Sequence, residues 1–150
     1  MKDGSVQTND SWSRVTPLAL LLSFQNIEQL PIMADFVELC RSGKLSKVIA
    51  AVGRGVDVNS VDTGGDSGLM EAVKNSHNQV IEWLLQQPAI YVSRRGWGGY
   101  TALHQAVWGK NPVGLSLLLA HPTADTTVRN NYGNTPLELC RWGTDGPGEA

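Results

Sequence analysis

The sequence lacks a long apolar run and a strong excess of charge of either sign. Charged residues make up 17% of its 150 residues, and the formal net charge at pH 7 is −2. A protein whose main partner is nucleic acid or an anionic membrane needs a basic surface, which this composition does not offer. The most apolar stretch, residues 18–24, is far shorter than the roughly 18 residues of a membrane-spanning helix. We therefore expect no nucleic-acid partner and no membrane insertion.

A short motif repeats along the chain. Residues 101–106 read TALHQA and follow the glycine-rich stretch GWGGY, which indicates a turn that leads into a helix. Thr101 is suited to be the N-cap, because its hydroxyl can accept a hydrogen bond from a free N–H of the first turn. The pattern returns at equal spacing on either side, as SGLMEA at 67–72 and as TPLELC at 135–140, and the turn glycine returns as Gly65, Gly99 and Gly133. We expect these glycines to adopt positive φ, and the regular spacing predicts a stack of similar units.

The repeated residues resemble the ankyrin repeat, a unit of about 33 residues that carries T-P-L-H-x-A at its first helix. Residues 101–106 match that motif at every position except the proline, and residues 135–137 match its opening before Glu138 replaces the histidine. The resemblance implies an all-α fold, an ankyrin-type α-solenoid of stacked helix-turn-helix repeats with β-turn or hairpin tips. It implies structural roles in the motif for Thr101, Leu103, His104, Ala106, Thr135, Pro136 and Leu137.

The resemblance covers residues 34–143, which divide into repeats at about 34–61, 62–95 and 96–129 and an incomplete repeat at 130–143. Residues 1–33 are predicted to be an N-terminal extension, partly disordered, and residues 144–150 a flexible tail. A helix at 17–30 in the extension could cover the open end of the stack; alternatively, Met33 is the working start and the extension has little structure. At the other end, the tail covers the last apolar face, another protein caps it, or the chain is a fragment of a longer array.

The apolar pattern explains why the units should stack. It predicts helices at 35–41, 45–52, 68–75, 79–86, 102–109, 112–120 and 136–142. Leu69 in one unit corresponds to Leu103 in the next, and both helices of a unit carry an apolar stripe that neighbouring units must cover. Small Ala72 and Ala106 would allow adjacent helices to approach closely.

The two cysteines indicate a compartment. Cys40 and Cys140 are predicted at opposite ends of the stack, whereas a disulfide needs Cα atoms within about 7 Å. Both occupy positions where the repeat favours a small buried residue, so we expect inert core thiols of a reducing environment. A secretory signal lacks its usual features, since Asp3 and Asp10 interrupt the basic front end. These observations predict an intracellular protein, in the cytoplasm or nucleus.

The sequence offers little for catalysis. Of its three histidines, His104 belongs to the repeat motif, and His77 and His121 fall at helix ends or turns, where solvated histidine is common. None has a Cys, Asp or Glu at the spacing that zinc or a nucleophile needs. The glycine pairs follow no buried strand and precede no Lys-Ser/Thr, so they are not a phosphate cradle. We expect no enzyme activity, no cofactor and no metal site.

The resemblance instead implies a partner-binding surface. In ankyrin repeats, partners contact the turn tips and the exposed residues of the first helices, which line the concave face. The corresponding residues here are Thr63, Asp66, Lys74, Asn75, Trp97, Tyr100, Trp108, Asn131, Tyr132, Asn134 and Trp142. Trp and Tyr are enriched at binding hot spots, although the same aromatics could pack locally, as we expect for Trp83. Trp108 and Trp142 occupy the same position of successive repeats and should stack in register.

We therefore predict a non-catalytic protein–protein interaction module that binds another protein through its turn tips and concave face. A basic rim, formed by Arg94, Arg95, Arg129 and Arg141, would suit an acidic or extended peptide. One alternative is a structural fragment of a longer ankyrin array. Another is that the chain is the substrate of a modifying enzyme, because GVDVN at 55–59 resembles the G-A-D-V-N close of ankyrin repeats, in which the asparagine, here Asn59, is hydroxylated in some members.

Overall fold

The computed structural model of the protein describes residues 32–145. These residues form seven α-helices, which are α1 (Ile32–Arg41), α2 (Leu45–Gly53), α3 (Gly68–Lys74), α4 (Asn78–Leu85), α5 (Ala102–Trp108), α6 (Pro112–Ala120) and α7 (Pro136–Asp145). A short 3₁₀ turn lies at Trp97–Gly99. Strand-like pairing within this range is limited to one antiparallel bridge, between Val61 and Ser67, at a turn tip. The all-α prediction is confirmed.

The two ends of the described range differ from the predicted helix bounds. α1 begins at Ile32, ahead of the predicted start of the first repeat at residue 34. α7 continues to Asp145 and includes Gly143 and Thr144, beyond the predicted end near residue 142. A glycine costs a helix interior about 1 kcal/mol, which is not enough to stop the helix at Gly143. The predicted helix at 17–30 lies outside the described residues, as do most of the extension and tail.

The helices form two rows. The first helices of the repeats pack on one another, α3 on α5 and α5 on α7, and the second helices do the same, α2 on α4 and α4 on α6. Within a repeat, α3 packs on α4 and α5 on α6. Leu69 and Leu103 are buried, as are the small side chains of Ala72 and Ala106. The apolar period of the sequence is therefore the period of the core.

The cysteines differ from one another in their surroundings. Cys40 is buried against α3, with its Sγ 2.7 Å from the place where a Cβ on Gly68 would lie. Burial raises the pKa of the Cys40 thiol to about 12, so the thiol is inert at neutral pH. Cys140 is exposed, and the prediction that both cysteines are buried is wrong for it. Cys140 lies on α7, and the described residues contain no further repeat to cover this helix.

His104 ties the start of α5 to the next repeat. The Thr101 side chain accepts a hydrogen bond from the backbone N–H of His104 (3.4 Å), and His104 Nδ1 accepts one from the backbone N–H of Thr101 (3.1 Å), a capping box. Because Nδ1 is an acceptor, Nε2 carries the proton and donates to the carbonyl oxygen of Asn134 at 2.9 Å. In the last repeat Glu138 replaces the histidine and closes the same box with Thr135.

Polar side chains also connect successive repeats at the start of each second helix. His77 Nε2 lies 2.9 Å from the carbonyl oxygen of Arg41, and Asn111 Nδ2 donates to the carbonyl oxygen of Val73 at 3.3 Å. His77 and Asn111 occupy the same position of successive repeats and contact the end of the preceding repeat's first helix in the same way. His77, which the sequence places in a turn, is half-buried there and makes this contact as well. Its ring also fills the space where a Cβ on Gly43 would lie.

The far edge of the stack carries a third set of links between repeats. Asn59 Nδ2 donates to the carbonyl oxygen of Ala89 (2.7 Å), and Asn59 Oδ1 accepts from the backbone N–H of Tyr91 (2.8 Å). Ser93, at the same position of the next repeat, makes the corresponding pair of bonds with Thr123 and Asp125.

Across residues 32–145, no helix is both long and apolar enough to cross a membrane.

We predict that two leucines at the same position of successive repeats differ in their contribution to stability. Leu103 is 2% exposed and Leu137 is 75% exposed. Leu103→Ala leaves a cavity and should lower the free energy of unfolding by about 2–5 kcal/mol, whereas Leu137→Ala should lower it by less than about 1 kcal/mol. Urea unfolding followed by circular dichroism measures both. Equal losses would contradict the burial pattern of the stack.

We predict that stability falls as the pH drops below about 6.5, the usual pKa of histidine. Burial lowers the pKa of His104, with a smaller contribution from Arg95, while the bond to Asn134 opposes the shift. The unfolded chain therefore binds a proton at a higher pH than the folded chain, and stability present above about pH 6.5 is lost as the pH falls toward the folded pKa. The loss should be smaller for His104→Gln, measured by urea unfolding between pH 7.5 and pH 5. The same slope in both proteins would rule out His104 as its source.

Candidate functional site

Three turn tips project from one edge of the stack, at residues 62–66, 96–100 and 130–134. In the first tip, Asp62 Oδ1 accepts hydrogen bonds from the backbone N–H groups of Gly64 (2.9 Å) and Asp66 (3.0 Å). In the last tip, Asn130 Oδ1 accepts the equivalent bonds from Tyr132 and Asn134. The predicted positive φ of the turn glycine is confirmed in all three tips, at 91° for Gly65, 74° for Gly99 and 81° for Gly133.

The middle tip is held in place by a side chain of the preceding repeat. Its residue at the Asp62 position is Gly96, which has no side chain to close the turn. The carboxylate of Asp66, in the preceding repeat, fills the space instead, and its Oδ1 accepts a hydrogen bond from the backbone N–H of Trp97 at 2.7 Å. A Cβ on Gly96 would collide with that carboxylate and lie 2.7 Å from Met70 Sδ. The position of Trp97 therefore depends on Asp66.

The middle tip in turn holds the last one. The backbone N–H of Asn131 donates to the carbonyl oxygen of Gly98 (2.9 Å), and Arg95 donates to Asn131 Oδ1 (2.8 Å). The ring of Tyr100 packs edge-on against Tyr132, with centroids 6.3 Å apart. The three tips thus form one continuous ridge.

An ion-pair ladder runs along the first helices beside this ridge. Arg41 donates to Glu71 (2.9 Å), and Lys74 bridges Glu71 (2.6 Å) and Asp66 (3.0 Å). Glu38 and Asp62 also pair with Arg41. The ladder consists of Glu38, Arg41, Asp62, Asp66, Glu71 and Lys74, and its four negative and two positive charges leave a formal charge of −2.

Hydrogen bonds keep Glu71 and Lys74 of the ladder ionised. Burial by itself would raise the pKa of Glu71, but hydrogen bonds from Arg41 and Lys74, and their charges, hold the pKa of that carboxyl below its usual value. Burial would likewise lower the pKa of Lys74, and hydrogen bonds to Glu71 and Asp66 raise it above its usual value. Both groups are therefore charged at neutral pH and already paired within the chain.

An open groove of about 380 Å³ lies where the ladder meets the ridge of tips. It is lined by Asp66, Lys74, Trp97, Tyr100, Gln105 and Trp108. The two tryptophans at the groove are largely in solvent, with Trp97 66% and Trp108 67% exposed. Trp97 comes from the middle tip and Trp108 from the end of α5, so tip and helix together build the groove.

The structure brings together five of the residues that the sequence predicts as partner-binding, namely Asp66, Lys74, Trp97, Tyr100 and Trp108. Asp66 differs from expectation, since it is buried and supports Trp97. Gln105 was not predicted. The sequence nevertheless points to Gln105, because this residue is the counterpart, one repeat later, of Glu71 in the ladder.

The other predicted residues lie away from the groove or outside the described side chains. Thr63, Asn131 and Tyr132 are exposed on the first and last tips, and Asn134 is half-buried there. Asn75 is exposed and donates to the carbonyl oxygen of Glu71. The side chain of Trp142 lies outside those described, so its register with Trp108 stays a prediction. Trp83, expected in the core, is half-buried.

One arginine of the predicted basic rim is paired with an acidic side chain of the chain itself. Arg129 pairs with Glu138 and also donates to the carbonyl oxygen of Gly133. Arg95 is engaged with Asn131, and Arg94 is half-buried. The ladder adds a formal charge of −2 beside the groove, and the suitability of the rim for an acidic or extended peptide stays a prediction. Within the described range, no three His, Cys, Asp or Glu side chains are grouped to hold a metal ion.

We predict that Gly96→Ala destabilises the protein by about 1–3 kcal/mol, because its Cβ would overlap the Asp66 carboxylate. The cost should shrink in an Asp66→Ala background, which removes the overlapping atoms. Gly53→Ala is the control: nothing lies near a Cβ there, and the change should raise stability by about 0.4–1 kcal/mol. Denaturant unfolding of these variants measures the differences. Additive effects of Gly96→Ala and Asp66→Ala would exclude the proposed contact.

The comparisons with known proteins agree with the stack of repeats. The family model for ankyrin repeats, in three copies, matches residues 36–130. An ankyrin repeat protein of fowlpox virus (strain NVSL) is 41% identical over 88 residues, which cover 57% of this chain and 26% of that protein. The ankyrin repeat protein YahD of Escherichia coli (strain K12) is 33% identical over 90 residues, which cover 57% of this chain and 44% of that protein.

A third relative, the zygote-specific protein 3 of Chlamydomonas reinhardtii, is 31% identical over 128 residues, which cover 82% of this chain and 34% of that protein. The chain thus spans less than half the length of each of these relatives. Ankyrin repeats are generally protein–protein interaction modules. With its family match over more than half of its length, the chain belongs to the ankyrin repeat family.

Proposed function

We propose that this chain is a non-catalytic protein-binding module that acts inside the cell. It binds its partner in the groove between the middle tip and α5. The observation that carries the proposal is the exposure of Trp97 and Trp108 at one groove, each about two-thirds in solvent. Large aromatic side chains exposed together are uncommon on a surface that binds nothing. Trp97, Tyr100 and Trp108 are the proposed anchors.

The energy available from these anchors is sufficient for specific binding. An aromatic side chain buries about 150–250 Å² when fully covered. At about 25 cal/mol per Å², covering the exposed two-thirds of each tryptophan stabilises a complex by roughly 2–4 kcal/mol. The supports of Trp97 are already in place in the free protein, since Asp66 fixes its backbone. Little ordering is then needed when the partner docks, which reduces the entropic cost of binding.

We predict that Trp97→Ala and Trp108→Ala each weaken partner binding by more than about 1–2 kcal/mol, without changing helical content. The measurement is affinity capture from extracts of cells that express the protein, with captured proteins quantified by mass spectrometry and helicity by circular dichroism. Tyr91→Ala is the matched control, because Tyr91 is an aromatic residue, 57% exposed, on the far edge of the stack. If the tryptophan variants unfold the domain, or capture the same proteins as the wild type, the groove is not the site.

A second candidate function is that of one segment in a longer ankyrin array. It is favoured by the exposure of Leu137 on α7, at the position where Leu103 is buried in the preceding repeat. A further consensus repeat fused after residue 145 should bury Leu137, and Leu137→Ala should then become as costly as Leu103→Ala. An unchanged, small cost in the fusion would argue against this function.

The alternative that Asn59 is modified by another enzyme stays a prediction. In the structure its side-chain amide makes two hydrogen bonds to the next repeat. A hydroxylating enzyme would have to reach the Asn59 Cβ, which lies next to this amide. Mass spectrometry of the peptide that contains Asn59, purified from its native cells, tests the alternative directly: an added oxygen supports it.

A further inference from the structure

The groove offers a ligand more aromatic surface than free charged groups. Trp97, Tyr100 and Trp108 line it, and both tryptophans are about two-thirds in solvent. The charged residues of its lining are already engaged within the chain. Lys74 donates to Asp66 Oδ2 at 3.0 Å, and Asp66 Oδ1 accepts a hydrogen bond from the backbone N–H of Trp97 at 2.7 Å. A ligand therefore gains most of its binding energy from the rings.

The charge around these rings favours a cation. The face of an aromatic ring carries partial negative charge. The ion-pair ladder, which reaches the groove through Asp66 and Lys74, adds a formal charge of −2. Lys74 itself is held by two carboxylates, those of Asp66 and Glu71. A carboxylate ligand would face both the rings and the excess of acidic groups in the ladder, whereas a cation is attracted by both.

Two arginines of the predicted rim lie apart from the lining of the groove. Arg95 donates to Asn131 at 2.8 Å, and Arg129 pairs with Glu138 at 3.0 Å. Neither arginine is among the residues that line the groove. The preference of the rim for an acidic segment and the preference of the groove for a cation are therefore separate predictions about two surfaces.

We propose that the groove receives an arginine side chain of the partner protein, whose guanidinium group stacks on the indole rings of Trp97 and Trp108. The proposal rests on the proposed function of the groove. It adds the chemistry of the residue that the partner inserts, which the exposure of the tryptophans alone does not specify.

Arginine fits this groove better than lysine does. A guanidinium group is planar and weakly hydrated, so it stacks on a ring while the N–H groups at its edge stay in contact with water at the open groove. The ammonium group of lysine is strongly hydrated and gains from a direct contact with a carboxylate. Both oxygens of Asp66 already accept hydrogen bonds, from Lys74 and from Trp97.

The first test uses four alanine pentapeptides with blocked ends, whose central residue is arginine, citrulline, lysine or glutamate. Citrulline keeps the planar end group of arginine and removes its charge. Each peptide is titrated into the ¹⁵N-labelled protein while the indole N–H signals of Trp97 and Trp108 are followed. The signal of Trp83, which is half-buried on α4, is the internal control.

The arginine peptide should shift the signals of Trp97 and Trp108 and leave that of Trp83 in place. Its affinity should exceed that of the citrulline and glutamate peptides by about 5-fold or more, the value of one exposed cation–π contact, with the lysine peptide in between. Equal affinity of the arginine and citrulline peptides, tighter binding of the lysine or glutamate peptide, or no binding at millimolar concentration would overturn the proposal.

The second test separates the ring of Trp108 from its apolar bulk. Trp108→Leu removes the ring and should weaken binding of the arginine peptide about 2- to 30-fold, the range of a cation–π contact, whereas Trp108→Phe keeps a ring and should lose less. Tyr91→Leu, on the far edge of the stack, is the matched control and should leave the affinity unchanged. Circular dichroism checks that each variant is folded. Equal losses in Trp108→Leu and Trp108→Phe, or no loss in either, would rule out stacking on this ring.

The outcomes distinguish this inference from the proposed function. The function is judged by the loss of captured proteins in the tryptophan variants, and the arginine is judged by the peptide titrations. Capture that depends on Trp97 and Trp108, together with equal binding of the arginine and citrulline peptides, would leave the function standing and remove the inference. Selective binding of the arginine peptide with unchanged capture would remove the function and, with it, the partner arginine.

Discussion

The structure depends on one constraint, which is that a single pair of short helices cannot bury its own apolar surface. Each helix pair packs against the next pair, and Leu69 and Leu103 are buried because a following repeat covers them. Hydrogen bonds between repeats then fix the spacing at three heights: at the tips through Asp66, at the starts of the second helices through His77 and Asn111, and at the far edge through Asn59 and Ser93. Stability is therefore shared between neighbours, as expected for a repeat protein.

This sharing has a consequence for the groove. In the middle tip the closing side chain is replaced by Gly96, and the preceding repeat supplies Asp66 in its place. Trp97 is thus positioned by a residue that also belongs to the ion-pair ladder through Lys74. A partner that contacts the groove would touch groups whose geometry is set by two repeats at once. The site is a property of the stack, and a single repeat taken out of it would lack the supports that the neighbouring repeat supplies.

The ladder also explains why the groove lies at the third repeat and not at the second. In the second repeat, Glu71 is closed off by Arg41 and Lys74. One repeat further, glutamine replaces glutamate and tryptophan replaces lysine, so charge pairing gives way to a neutral amide beside an exposed aromatic side chain. These two differences at repeat-equivalent positions replace an ion pair with an exposed aromatic surface.

The sequence by itself determined the parts that repeat. The regular spacing of the motif predicted where the helices lie and that Gly65, Gly99 and Gly133 have positive φ. It also pointed to Trp97 and Trp108 of the groove. These features follow from turn chemistry and apolar spacing, which depend on residues close together in the sequence. The tertiary structure decided what depends on contacts between repeats: the burial of Asp66, the link made by His77 and the exposure of Cys140. Each of these depends on whether a neighbouring repeat is present and what it contributes, which no local pattern reports, since partners meet only once the helices are stacked.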